Sequence, residues 1–465
     1  MTQPKYGFDR RGFLRMGIAG VTGSTLPISI TRGENADNAD NAIQTGKGKA
    51  KSVLLVLLSG GPSQLDTVDP KPEAPAEIRG EFGTIGTTIP GVSFCEHLPR
   101  MAKQTDKWAL VRTLAHKEHN HLLATHIALT GRPCPIPRGA SDLDRVETRN
   151  DFPNMASALS YVRPLDNGIP TGVSLPNYLI EGPLTWPGQH SGFLGPKFDP
   201  WQIQADPNEK NFRMDALQLR EGITTDRLLS RRKLLDQFHK NGNQHSGPDL
   251  ISFREQQQSA FDLLTSGKLV DAFEINRESD AVRDRYGRNK FGQSLLLSRR
   301  LVEAGVPIVQ ATMGIVQTWD THTDNWGKLK NKLLPQLDQG LEALMEDLSA
   351  SGLLDQTLVV VMGEFGRTPK ISTLPGETLP GRDHWAHAYS GLFAGAGVMG
   401  GQVIGQTDAR AAYPVTRSWS PADICSTLFN ALGVEHDVTI YDPLQRPHHL
   451  LNGSIIHPLY TGRSS

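Results

Sequence analysis

Apolar residues in this chain gather into short unbroken runs bounded by glycine, proline and polar residues. Val53-Leu54-Leu55-Val56-Leu57-Leu58 ends in Ser59-Gly60-Gly61-Pro62 and reads as a strand buried on both faces, as in a parallel sheet. Trp108–Val111 predicts a second short strand. A third, Val306–Thr312, follows a helical stretch holding Leu295, Leu296, Leu297, Leu301 and Val302. A helix over Leu333–Leu348 then leads into Thr357–Met362, the most strand-like segment of the chain. Helices are expected to resume near Ser252, and a last one covers Ile424–Leu432. Strands alternating with helices predict an α/β fold with a doubly wound, mostly parallel sheet. Between about Pro133 and Gly247 the pattern lapses into Pro- and Gly-rich stretches with isolated aromatics such as Trp186 and Trp201. This reads as an irregular insertion over the strand ends, either the wall of a substrate cleft or structural padding.

Ahead of the first strand the character changes. Asp9-Arg10-Arg11-Gly12-Phe13-Leu14-Arg15 joins adjacent arginines to an apolar pair, followed by a mild stretch to Ile30 broken by Gly17, Gly20, Gly23 and Pro27. Residues 1–30 are expected to form a twin-arginine export signal, which carries folded and often cofactor-loaded proteins to the periplasm or cell surface. Residues 31–51, polar and repetitive (Asn-Ala-Asp), are expected to be a flexible linker, and 52–465 the folded domain. No later segment is apolar enough for a membrane span. The formal charge of −1 removes any broad basic field for nucleic acid. Cys95, Cys134 and Cys425 fit neither a zinc-knuckle spacing nor a disulfide framework, so free thiols are expected.

Open parallel sheets put their sites beyond the carboxyl ends of the strands, and polar clusters fall there. Asp66 and Asp69 follow the first strand, and His116, His119, His121 and His126 the second. Trp319-Asp320-Thr321-His322 follows the third. Gly363-Glu364-Phe365-Gly366-Arg367-Thr368-Pro369 and Gly381-Arg382-Asp383-His384-Trp385 follow the fourth. Imidazole and carboxylate together suit a divalent metal, zinc first, with manganese, calcium and magnesium as alternatives.

From Ser52 to about Gly433 the sequence resembles the family known as domain of unknown function 1501, within the alkaline phosphatase and sulfatase superfamily. The resemblance rests on Ser59-Gly60-Gly61-Pro62-Ser63-Gln64-Leu65-Asp66-Thr67, on the three polar motifs just quoted from Trp319, Gly363 and Gly381, and on Gly400-Gly401-Gln402-Val403-Ile404-Gly405. It implies an alkaline phosphatase-like sheet and metal-assisted hydrolysis or transfer of phosphate or sulfate esters. By motif, Asp320 and His322 correspond to an Asp/His pair on one metal, His384 to the later His that completes it, and Glu364 to a strand-end carboxylate. Asp66 is the expected carboxylate from the first strand, with Asp69 as substitute. Salt-bridge or helix-capping roles for Asp320 and Glu364 stay open.

The chain also departs from the superfamily pattern. His121 to Arg132 has the length and Thr-Gly-Arg ending of the sulfatase signature, but His121 stands at the nucleophile position and Pro-Ser-Arg is missing. No formylglycine can form there, and Phe365 replaces a second-site His. His121 therefore has three open roles: metal ligand, covalent nucleophile, or base toward a metal-activated water. Arg367 and Arg382, with Lys71, are expected either to stabilise an anionic transition state or to close loops through salt bridges. Ser59, Ser63 and Thr67 are fallback nucleophiles. Gly395-Ala396-Gly397-Val398-Met399-Gly400 matches a dinucleotide-binding pattern, but the strand-like Gly401–Gly405 follows it instead of a helix, so it is set aside. Two functions result: an exported metal-dependent hydrolase of small-molecule or saccharide esters, and a non-catalytic exported binding protein on the same scaffold. Substrate, metal and oligomeric state are not specified by the sequence.

Overall fold

The computed structural model describes residues 46–134, 149–165, 168–181, 184–214, 217, 222–241, 257–258, 261–315 and 318–462. The expected export signal, most of the expected linker and the start of the helix expected near Ser252 lie outside these residues.

Eight strands form the main sheet. In chain order they are β1 (Ser52–Leu57), β2 (Ala109–Leu114), β3 (Gly172–Leu175), β4 (Trp201–Gln202), β5 (Ile308–Thr312), β6 (Thr357–Met362), β7 (Tyr389–Ala394) and β8 (Gln402–Ile404). Across the sheet they run β8-β2-β7-β6-β1-β5-β3-β4. β1 is central, parallel to β6 on one side and to β5 on the other. Only β7 runs against its neighbours, β6 and β2. The excursion Gly363–Ala388 explains this: it leaves the carboxyl end of β6 and contains no helix to carry the chain back across the sheet, so the next strand starts at the same end.

Burial on both faces explains the unbroken apolar runs. In β1, Leu54 and Val56 face one core, while Val53, Leu55 and Leu57 face the other. In β6, Val359 and Val361 oppose Leu358, Val360 and Met362 in the same way. Five helices supply most of the covering layers: α1 (His121–Thr130), α2 (Met155–Val162), α3 (Lys290–Glu303), α4 (Leu334–Ala350) and α5 (Pro421–Ala431). Leu295, Leu296 and Leu301 of α3 and Leu337, Leu341 and Leu344 of α4 fill the first core. Leu122 and Leu129 of α1, Leu159 of α2, and Ile424 and Leu428 of α5 fill the second. This is the doubly wound α/β arrangement that the periodicity predicts.

Part of the segment read as an insertion extends the sheet instead, since β3 and β4 lie within it and β3 pairs with β5. Those strands are too short to give a periodic signal. The segment around Gly395 is a turn with Gly395 and Gly397 at positive φ, leading into β8 rather than into a helix. None of Cys95, Cys134 and Cys425 is in a disulfide, and burial pushes the Cys95 and Cys425 thiols up to about 12. No helix among the described residues is long and apolar enough to cross a membrane.

Leu55 is 1% exposed at the centre of the sheet, whereas Leu379 is 52% exposed. Leu55→Ala is expected to lower unfolding free energy by about 2–5 kcal/mol, through lost burial and the cavity left behind. Leu379→Ala is expected to change it by less than about 0.5 kcal/mol. Equal effects in denaturant titrations would contradict this assignment of the core.

Candidate metal centre

Loops at the carboxyl ends of β1, β2, β5 and β6 converge above the sheet. His121 is the first residue of α1, held there by Asn120, whose side chain accepts the backbone N–H groups of Leu122 and Leu123. His121 Nδ1 lies 2.6 Å from Oε1 of Glu364, two residues beyond β6. An ionised carboxylate only accepts, so His121 carries its hydrogen on Nδ1 and turns the Nε2 lone pair the other way. Nε2 is buried with no aligned hydrogen-bond partner and sits 3.3 Å from Asp320 Oδ2.

The other two imidazoles repeat this logic. His384 Nδ1 donates to the His119 carbonyl at 2.7 Å, leaving Nε2 3.2 Å from Asp320 Oδ1. His322 Nδ1 donates to Asp383 Oδ1 at 2.8 Å, leaving Nε2 3.0 Å from Asp320 Oδ1 and 2.9 Å from His384 Nε2. Three ring lone pairs thus face one carboxylate with no hydrogen between them, an arrangement that needs a cation or extra protons at its centre. Around a four-coordinate zinc, neighbouring donor atoms lie roughly 3.3 Å apart. The ligand atoms of His121, Asp320 and His384 all lie within 4.8 Å of one another. The donor set therefore fits a divalent ion with an affinity for imidazole.

Asp320 dominates the electrostatics. Burial alone would raise its carboxyl, but His121, His322, His384 and Arg367 hold it far below the usual carboxylate range. Burial alone would lower His121, yet Asp320 and Glu364 outweigh it and bring the ring to about 8. His322 is raised, chiefly by Asp320. His384 is lowered, chiefly by burial, with the His121 and Arg367 charges adding to it. Without metal, a proton on His121 takes up the positive role.

Other expected site residues stand elsewhere or act differently. Asp66 is not brought to the cluster: Arg382 Nε meets its Oδ2 at 2.7 Å, Ser63 Oγ at 2.6 Å and Asn325 at 3.1 Å, while Trp326 Nε1 meets Oδ1 at 3.1 Å. Asp69 pairs with Lys71 and Arg112, which removes both Asp69 and Lys71 from the centre. Glu364 reaches the site through His121 and also accepts the Gly60 backbone N–H at 2.9 Å. Its distance from Asp320 is set by His121, which stands between them.

Arg367 and Arg382 are fully buried. Arg367 meets Asp320 Oδ1 at 2.5 Å through Nη1, the Gly61 carbonyl at 2.8 Å through Nε, and the Gly60 carbonyl through Nη2. Arg382 binds Asp66 and the carbonyls of Thr368, Pro369 and Ile78. Of the two roles expected for these guanidinium groups, the contacts present are those of loop closure. Their donors are occupied by the chain itself, and the loop-closing alternative describes them. Ser63 and Thr67 are likewise engaged, with Ser63 Oγ on Asp66 and Thr67 Oγ1 on the Ser63 carbonyl at 2.7 Å. Ser59 Oγ is buried and without a hydrogen-bond partner.

Four contributors carry no site role in the sequence reading. Asp383 and the His119 carbonyl fix two of the rings. Trp186, from the segment read as an insertion, stacks on His121 with ring centres 5.6 Å apart. Phe365, read only as a missing ligand, lies 4.7 Å from His121 and 4.8 Å from His384. Asp383 had one local signal, its position between two motif residues. A backbone carbonyl and a remote tryptophan had none.

His121 rises from 6.5 to about 8 on folding, so its charge contributes stability that is complete below pH 6.5 and lost as pH rises through about 8. That shift corresponds to roughly 2 kcal/mol. In chelator-treated protein, the stability advantage of wild type over His121→Gln should shrink by about that amount between pH 6 and pH 9. A pH-independent difference in urea titrations would contradict the charged state assigned to His121.

Comparison with known proteins adds the following. No curated protein matches the sequence. Solved structures similar over most of the chain include Ps i-CgsB (13% identity, 89% of this chain and 77% of that one, TM-score 0.43). A second is PsFucS1 sulfatase from Pseudoalteromonas sp. (13% identity, 87% and 71%, TM-score 0.40). A third is a TAB5 alkaline phosphatase variant with Mg bound (12% identity, 84% and 99%, TM-score 0.37). A family model described as "Protein of unknown function (DUF1501)" matches residues 50–459, which span every strand of the sheet and all the residues around Asp320, and the chain belongs to that family.

Proposed function

We propose that this chain is an exported metal-dependent hydrolase of phosphate or sulfate esters. The observation that carries the reading is the convergence of the His121, His322 and His384 lone pairs on Asp320, each ring fixed by an acceptor at Nδ1. Zinc suits these donors best and manganese next; calcium and magnesium prefer oxygen-only sets. A divalent ion would supply Lewis-acid polarisation of an ester oxygen and bring the pKa of water toward 7. The chain's own residues do the rest. Glu364 holds His121 by Nδ1, which makes it a ligand rather than a free nucleophile. Arg367 keeps Asp320 ionised. His322 and His384, each with about a quarter of the side chain exposed, border the side open to a small-molecule or saccharide ester.

Two observations favour a second reading, a non-catalytic metal-binding protein. His121, Asp320 and His384 offer ligand atoms within 4.8 Å of one another, and His322 Nε2 adds a fourth beside Asp320 Oδ1, a number that can close a coordination shell. Both arginines that could grip an anion are occupied by internal partners.

Metal analysis joined to a chromogenic phosphate and sulfate ester panel separates the two. The hydrolase is expected to carry about one zinc or manganese per chain and to lose turnover on chelation. Metal without turnover supports the second reading, and absence of both removes the metal centre. His121→Ala is expected to lower metal content or turnover by at least about tenfold. Export by the twin-arginine route rests on Arg10-Arg11. Replacing both with lysine should leave precursor in the cytoplasm in cell fractionation, and unchanged export would remove that assignment.

A further inference from the structure

The three imidazoles are fixed in unlike ways. His384 leans on a neutral backbone carbonyl, that of His119 at 2.7 Å. His121 leans on Glu364, a carboxylate 1% exposed and tied to the Gly60 backbone. His322 leans on Asp383, whose side chain is 42% exposed. That Asp383 keeps its place despite exposure follows from its other contacts. Ser372 Oγ donates to Oδ2 at 2.8 Å, and the Asp383 backbone N–H donates to Thr368 Oγ1 at 2.9 Å. Asp383 is therefore held by its backbone N–H and by Oδ2, with Oδ1 left for His322 Nδ1 at 2.8 Å.

We infer that Asp383 is a positioning residue for the metal centre: it fixes the tautomer and direction of His322 so that Nε2, not Nδ1, is presented beside Asp320. The inference rests on the metal reading above and extends it to a residue with no direct contact to the centre. Without the Oδ1 acceptor, the His322 ring has two tautomers of similar energy and can flip about its Cβ–Cγ bond, and only one combination of tautomer and flip presents the Nε2 lone pair to the ion. A carboxylate on the far nitrogen also raises the basicity of the ring as a donor, and loss of such partners commonly costs 10–100-fold in metal affinity. Ser372 acts one step further out by holding Oδ2.

The remaining exposed or unsatisfied groups lead elsewhere. Asp151 faces His190 and His126 at 3.6 and 4.0 Å in a fully buried pocket. There the Gly192 N–H donates to His190 Nδ1 at 2.9 Å, which puts the ring hydrogen of neutral His190 on Nε2 and gives that nitrogen no lone pair for a metal.

The test is zinc affinity, measured on the full chain by competition with a chromogenic chelator, for wild type, Asp383→Ala, His322→Ala and the double variant. Asp383→Ala is expected to weaken zinc binding about 10–100-fold, and Asp383→Asn, which can keep an amide oxygen facing Nδ1, by less. The double variant should bind as His322→Ala does, because Asp383 acts only through that ring. Chelator-treated Asp383→Ala should still unfold in a single cooperative transition, which separates positioning from loss of the fold. If wild type binds zinc and Asp383→Ala binds it equally well, or if the two losses multiply in the double variant, the inference fails while the metal centre stands. If wild type binds no zinc, both fail.

Discussion

Asp320 is a carboxylate largely withdrawn from water, and it remains ionised only because positive charge and imidazole donors crowd it: Arg367 at 2.5 Å and three histidines at 3.0 to 3.3 Å. A buried carboxylate without such company would take up a proton, and removing one partner from a buried pair commonly costs about 3–5 kcal/mol. The ion pair also organises the loops. Arg367 grips the Gly60 and Gly61 carbonyls, the Gly60 N–H binds Glu364, Glu364 binds His121, and His121 faces Asp320. The circuit closes on itself and joins four stretches of chain. Gly61 is obligatory within it, at φ 77° with a Cβ position 2.6 Å from the Phe365 ring.

A second buried pair, Asp66 with Arg382, does comparable work beside the first. It fastens the segment after β1 to the excursion between β6 and β7. The same excursion delivers His384 and Asp383, and it passes so close to the Asp320 loop that a Cβ on Gly381 would lie 2.2 Å from the His322 carbonyl. The centre is thus carried by loops that have little regular structure of their own but are cross-tied by charge.

The central strands and the positions of the polar clusters were legible because each depends on local pattern. An apolar run of six residues reports burial on both faces, and a His or Asp soon after it falls at the strand's end. Partner choice was not legible. Asp66 and Arg382 lie 316 positions apart, and nothing near Asp66 distinguishes a metal ligand from an arginine partner. The same holds for Arg367, which fits either an anion site or a loop clasp until the Gly60 and Gly61 carbonyls are seen around it. β3 and β4 were hidden by brevity. The reversed direction of β7 followed from the lack of a helix between Gly363 and Ala388, a feature the sequence displays but hydrophobic periodicity does not weigh.

Trp186 has a consequence for hydration. It is wholly buried against His121, and Phe365 lies against the same ring, so that imidazole has aromatic neighbours where solvent would otherwise stand. The more exposed side chains of the cluster are instead His322, His384 and Asp383. One edge of the cluster is thus dry and aromatic and the other wet, so the His121 ring is shielded from water while those of His322 and His384 meet it.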